Sequence, residues 1–213
     1  METKAENFIN PTSVIAEKII SGMADKSFNE SQKQSLFEML GWLKDGGPGL
    51  LISGQYTDSI RDLMEGLWAS IQTARKNFIK LGEISEIRRD LWTSEIRWRT
   101  SSDIIRVAHL HGREGLLYSK MNPLTSRGLL FIFDAGNPLE EATIEYRGWH
   151  NGAYIKESIM PIPELIEYRL LRRMPTIVST GLDADGFREK YGKDAGNKLI
   201  EHFTAGDGWY CFF

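Results

Sequence analysis

The residues best placed to do chemistry sit where apolar runs end. Gly128-Leu129-Leu130-Phe131-Ile132-Phe133-Asp134 is a continuous apolar stretch that stops at a carboxylate. Gly49-Leu50-Leu51-Ile52-Ser53-Gly54 is a second one, and it stops at a glycine. Both read as strands buried on two faces, and open α/β sheets place functional groups at such carboxyl ends. A lone carboxylate there can orient a water molecule, or it can simply cap a helix, and Asp134 admits both readings.

A second cluster is basic. Arg88, Arg89, Arg97, Arg99 and Arg106 fall in the stretch that also carries Trp92 and Trp98. Cations that track phosphates beside rings that stack on bases are the chemistry of nucleic-acid binding. Glu83, Glu86, Asp90 and Glu95 lie among them, so an ion-paired, solvated face is the plainer alternative. His109 and His111 would share one face of a strand, but no third ligand stands at zinc spacing and no metal is expected. His150 and His202 are isolated and read as structural, and Cys211 reads as a packing residue without a positioned histidine.

Composition bounds the rest. The 213 residues suffice for one substantial domain with a short appendage. A net charge of -3 gives no global field for a polyanion and leaves room only for a local patch. One cysteine allows no internal disulfide and fits a reducing, cytoplasmic setting. The acidic N-terminus does not read as a secretory signal, and no run approaches the ~20 apolar residues of a membrane helix. No membrane partner is expected.

The elements that must position these residues alternate. Val14, Ile15, Ile19 and Ile20 predict a helix over 11–23. Asn29 caps a second helix striped by Leu36, Leu40 and Leu43, which the Asp45-Gly46-Gly47-Pro48 run stops. After the 49–54 strand, Ile60, Leu63, Met64, Leu67 and Ile71 share one helical face. Residues 75–127 give no clear period. Beyond the 128–134 strand, a helix is expected over Pro163–Arg173, a β-branched strand over 175–180 and a helix over Ala184–Tyr191. Trp209–Phe213 reads as a final strand or an apolar tail. Strand–helix alternation with doubly buried strands predicts an α/β fold with a mainly parallel sheet between helical layers. An N-terminal arm and helix over 1–34 and an α/β domain over 35–213 complete the expected organisation.

Three segments, in order, carry a resemblance. LLRRMPTIVSTGLDADGFREKYGKDAGNKL over Leu170–Leu199 is similar to the later part of AAA+ ATPases of the DnaC-type helicase-loader family. There, a helix leads to a strand of the form PTIxTSNL and then to a helix with ELxxRYGxRxxSRL. LLFIFDAGNP resembles that family's Walker B strand, and GLLISGQYTDSIRDL stands where the family has its Walker A loop. The resemblance implies a P-loop NTPase-like core whose subunits assemble side by side around nucleotide.

The departures from the pattern decide the functional expectation. A phosphate loop needs glycines so that backbone donors wrap the phosphates, a lysine for the terminal phosphates and a hydroxyl for magnesium. With Gly54 on the first glycine, Thr57 and Ser59 stand where later glycines belong, Ile60 replaces the lysine and Arg61 the hydroxyl. Phe133 replaces the first Walker B aspartate while Asp134 keeps the second. Gly181 takes the place of the polar sensor, and Lys198 that of the arginine acting across the subunit interface. The pattern therefore implies a pseudo-ATPase that binds no cofactor. It would be a binding or scaffolding subunit in DNA replication or in a mobile-element or phage context. An active AAA+ ATPase or helicase is the expected protein partner, with DNA as a second candidate. Two alternatives stay open: an ATP-dependent loader with an unusual phosphate loop, and a nucleic-acid-binding module without nucleotide chemistry. The plainest reading is that any α/β protein has such apolar strands.

Overall fold

The computed structural model describes Trp42 and residues 49–54, 96–118, 123–125, 127–150, 152–204 and 209–212. The expected helices over 11–23, from Asn29 and over 59–71 lie outside these residues. Seven strands and four α-helices are described. They are β1 (Gly49–Ser53), β2 (Ile96–Thr100), α1 (Ser101–Arg113), β3 (Leu129–Phe133), β4 (Ile144–His150) and β5 (Ala153–Ile159). After these come α2 (Pro161–Leu171), β6 (Thr176–Thr180), α3 (Ala184–Tyr191), α4 (Lys193–Thr204) and β7 (Trp209–Phe212). A π-helical turn, Glu114–Tyr118, extends α1, and a short 3-10 turn follows at Pro123–Thr125.

Five strands form one parallel sheet in the order β2-β3-β6-β1-β7, and β4 pairs antiparallel with β5 outside it. Every residue of β1, β3 and β6 is buried, as their unbroken apolar runs predict. Successive side chains point to opposite faces. Leu51, Leu130, Ile132 and Val178 therefore meet a helical layer built from Ile104, Ile105 and Ala108 of α1, Leu165 and Ile166 of α2, and Leu199 and Phe203 of α4. Leu50, Ile52, Phe131 and Ile177 face the other way and are equally buried. The α/β class and the parallel sheet agree with the sequence reading.

Three of the four described α-helices have a start signal in their sequence, and α2 opens at Pro161, two residues before the expected Pro163. Thr100 caps α1 in a reciprocal box with Asp103, each side chain accepting the other's backbone N–H at 3.2 Å. Pro161 opens α2 at a position that needs no donor, and the Glu164 carboxylate accepts from Met160 N–H at 3.0 Å. Asp183 caps α3 by accepting from Gly186 N–H at 2.8 Å.

Four elements went unread in the sequence: β2, α1, α4 and the β4–β5 hairpin. The final apolar segment resolves to a strand, β7, parallel to β1. One expectation is overturned by this assignment. His109 and His111 lie on helix α1, not on a strand. At ~100° per residue they project roughly 200° apart and cannot share a metal. His109 instead faces Glu141, with Nε2 3.3 Å from the carboxylate.

The hairpin is fastened to the end of α1. Arg113 donates from Nε and Nη2 to Glu164 at 2.6 and 2.9 Å, from Nη1 to Glu157 at 3.0 Å and from Nη2 to the Ser158 carbonyl at 2.7 Å. Its backbone N–H donates to Glu157 at 2.8 Å. Gly112, at φ 63, makes this approach possible. A β-carbon there would come within 2.6 Å of the Glu157 carboxylate and 2.7 Å of the Tyr146 ring.

Candidate functional site

The strand order decides which loop ends meet. From β1 the chain must reach β2, the strand at the far edge, whereas from β6 it passes back over β1 to β7. Neighbouring strands whose chains leave in opposite directions open a crevice at their carboxyl ends. Gly54 and Gly181 follow the ends of the neighbouring strands β1 and β6, and Asp134 follows the end of the next strand, β3. Three positions far apart in sequence are thus brought to one edge of the sheet.

Hydrogen bonds sew this edge together. Gly54 N–H donates to the Thr180 carbonyl at 3.1 Å, and Ala135 N–H donates to the Ser179 carbonyl at 2.9 Å. Ser53 Oγ donates to the Leu182 carbonyl at 2.6 Å. Ser101 Oγ, at the first turn of α1, donates to the Asp134 carbonyl at 3.1 Å. Thr180 Oγ1 donates to the Ala135 carbonyl at 2.7 Å and accepts from Leu182 N–H at 3.0 Å. Ser179 Oγ accepts from Asp134 N–H at 3.3 Å. The hydroxyls of Ser53, Ser101 and Thr180 therefore give their protons to main-chain carbonyls and act as structural ties. None is poised beside a general base as a nucleophile would be.

Asp134 itself stands apart. It is half-buried and holds φ 56, the left-handed region that aspartate visits more readily than most residues. Its backbone is engaged on both sides, yet its carboxylate has no hydrogen-bond or ion-pair partner among the described residues. Backbone strain of this kind gathers at functional sites, where the surrounding structure must hold it. Phe133, immediately before, is buried with its ring edge-on to Trp98 at 4.9 Å and stacked near Phe131 at 6.4 Å. The position expected to hold a metal-shell carboxylate is thus an aromatic packing position.

A latch backs the loop after Asp134. The Glu140 carboxylate is buried, accepts from Gly136 N–H at 3.3 and 3.2 Å, and receives the Tyr191 hydroxyl at 2.5 Å. Lys190 Nζ donates to the carbonyls of Asn137 at 2.8 Å and Glu140 at 2.6 Å. Burial, together with the neighbouring Glu140, pushes the Tyr191 phenol well above its ordinary value. The latch ties α3 to the loop that carries Asp134.

The remaining sequence-predicted positions scatter. Thr57, Ser59, Ile60, Arg61, Arg88 and Arg89 lie outside the described residues. Arg97 and Arg99 occupy the edge strand β2, two residues apart and so on one face, both half-buried. Arg99 Nη1 donates to the Trp98 carbonyl at 2.7 Å. Lys198 is exposed on α4, with Nζ 3.8 Å from Glu167 of α2. Gly181 is exposed just beyond β6, and the polar residues that precede it are Ser179 and Thr180 of the strand itself. Sequence reasoning missed Ser53, Ser101, Glu140 and Tyr191. The signal available for two of them was the serine at each strand or helix end.

Among the described residues no group of three histidine, cysteine, aspartate or glutamate side chains could hold a metal ion, and no helix is long and apolar enough to cross a membrane. No protein-family model matches the chain, and comparison with curated proteins gives no significant match.

Proposed function

We propose that the chain is a P-loop NTPase-like protein without nucleotide chemistry, similar to helicase loaders and acting as a binding or scaffolding subunit. The observation that carries this reading is the composition of the β1–β6–β3 edge. The sheet order gathers there the three strand ends that a nucleotide site of this kind would use. Among the described residues, the groups at these strand ends are a packed Phe133 ring, hydroxyls bonded to main chain and one carboxylate, Asp134, without a described partner. Hydrolysis needs a magnesium shell, a cation on the terminal phosphates and an oriented water. One carboxylate supplies at most the last of these.

The sequence adds Ile60 where a lysine would balance phosphate charge. It also adds Lys198 where an arginine would act across an interface. Lysine keeps the charge but lacks the planar fork. Its exposure on α4 leaves it accessible to a neighbouring subunit. The partner in this reading is an active AAA+ ATPase or helicase of DNA replication, or of a phage or mobile element.

Two assays test the reading. Purified protein should release no phosphate from ATP above a buffer blank, and Asp134→Ala should leave that result unchanged. Turnover that disappears in Asp134→Ala would instead establish an enzyme with an unusual phosphate loop. Mixed with an active loader, the chain should change that loader's assembly or its hydrolysis rate, and Lys198→Ala should weaken the effect. A loader indifferent to its presence removes the scaffolding role.

A further inference from the structure

The β4–β5 hairpin has two faces of opposite character. On the inner face Ile144 and Ile159 are buried, and Tyr146, Ile155 and Glu157 are half-buried. On the outer face Glu145, Arg147 and Trp149 lie opposite Ser158, Lys156 and Tyr154, and all six are exposed. Trp149 and Tyr154 form a cross-strand pair with ring centroids 5.8 Å apart and planes at 69°, and they are 73% and 59% exposed. Arg147 lies directly opposite Lys156 in the next outward-facing pair.

That second pair is unfavourable on its own terms. Like charges directly opposite in an antiparallel ladder destabilise it. Among the described residues neither Arg147 nor Lys156 has an ion-pair partner, and Glu145, the acid on this face, pairs with neither. Two opposed cations beside two solvent-facing rings form a surface that an anion with planar groups would relieve and cover. The mounting is firm. Arg113 pins Glu157 and Ser158 of β5, and Gly112 sits against Tyr146 and Glu157. A rigid element presents contacts more accurately than a loop does.

We propose that the outer face of this hairpin binds single-stranded nucleic acid, with Trp149 and Tyr154 stacking on bases and Arg147 and Lys156 meeting phosphates. Stacking on aromatic rings is tolerant of sequence because every base has a flat face, and the cations follow the backbone. The arrangement predicts binding without strong sequence preference. It moves the nucleic-acid contact away from the Arg88–Arg99 segment to a part of the chain with exposed rings. The proposal does not rest on the nucleotide-site reading, and nucleotide titrations leave it untouched.

The test is fluorescence anisotropy of a labelled oligothymidylate of about 20 nucleotides with the full chain, at about 50 mM salt and upward. The wild-type chain should bind, with affinity falling steeply as salt rises. Trp149→Ala combined with Tyr154→Ala should weaken binding about tenfold or more. Arg147→Gln combined with Lys156→Gln should flatten the plot of log affinity against log salt by about 1.4, from about 0.7 per lost phosphate contact on a single strand. All four side chains are solvent-exposed, so both double variants should fold, with the urea midpoint slightly lowered by loss of the ring pair and slightly raised by removal of the opposed charges. Absence of binding at the lowest salt overturns the proposal. Equal binding by wild type and both variants overturns it too, since the contact would then lie elsewhere. So does retention on anionic lipid vesicles with none on the oligonucleotide.

Discussion

The two edges of the parallel sheet are fastened by different chemistry. At the amino edge the fully buried Arg169 of α2 donates to the carbonyls of Leu124 (2.5 Å), Gly128 (2.6 Å) and Pro175 (2.9 Å) and to Thr176 Oγ1 (2.9 Å). One guanidinium thus binds the starts of β3 and β6 to a helix end, and its fork geometry suits several carbonyls at once. Burial lowers its pKa to about 9. At the carboxyl edge neutral hydroxyls tie the strand ends, the Glu140–Tyr191 latch backs the loop behind them, and Asp134 adopts a left-handed backbone with its carboxylate without a partner among the described residues. The amino edge is built for stability. The carboxyl edge keeps a strained residue whose carboxylate makes no tie among the described residues, as strain held at functional sites does.

Substitutions can break or sharpen the contrast, and the largest effect belongs at the amino edge. Arg169→Leu leaves several carbonyls buried without a donor and should lower the stability measured by urea unfolding by about 3 kcal/mol or more. Arg169→Lys should recover only part of the loss, because three donors on a point charge cannot span the same acceptors. An Arg169→Leu protein with wild-type stability would abolish the distinction between the edges.

Tyr191→Phe comes next. It removes the hydroxyl that satisfies buried Glu140 and should cost about 1–3 kcal/mol at neutral pH. It also has a pH signature. The unfolded tyrosine ionises near its ordinary 10.0, while the folded one is held well above that. The folded-state pKa is raised, so this contribution is complete below about pH 10 and is lost as pH climbs beyond it. The wild-type chain should lose stability above pH 10 more steeply than the Tyr191→Phe chain, and parallel alkaline profiles would contradict the assignment.

Thr180→Val should cost about 1 kcal/mol, since it deletes one donor bond to Ala135 and one acceptor bond from Leu182. Asp134→Gly should do the opposite. Glycine holds positive φ without penalty, so the thermal midpoint should rise by the equivalent of up to about 1 kcal/mol. A fall on Asp134→Gly would mean that the carboxylate is a structural tie and that the carboxyl edge is not relaxed by removing it.

How much of this was legible follows from the kind of signal each element leaves. β1, β3 and β6 were readable because strands buried on both faces are unbroken apolar runs, and the helices expected over Pro163–Arg173 and Ala184–Tyr191 correspond to α2 and α3. β2 was not, because an edge strand with Arg97 and Arg99 on one face breaks the apolar run. α1 was hidden in the same basic stretch, where its buried stripe of Ile104, Ile105 and Ala108 is short. The hairpin had a usable signal that the sequence reading did not use: an Asn-Gly pair between two seven-residue runs favours a hairpin turn. For the site, Gly54 and Asp134 could be found from sequence because strand ends are visible. The bond between Glu140 and Tyr191 joins residues 51 apart, and no local pattern encodes it.

Calorimetric titration of the purified protein with ATP and ADP, with and without magnesium, tests the central claim most directly. Our proposal predicts no binding heat up to millimolar nucleotide, because Phe133 packs on Trp98 and the hydroxyls of Ser53 and Thr180 are spent on main-chain carbonyls, so neither offers a group to a magnesium–triphosphate. Magnesium-dependent binding at micromolar nucleotide would contradict it and make the carboxyl edge a working nucleotide site.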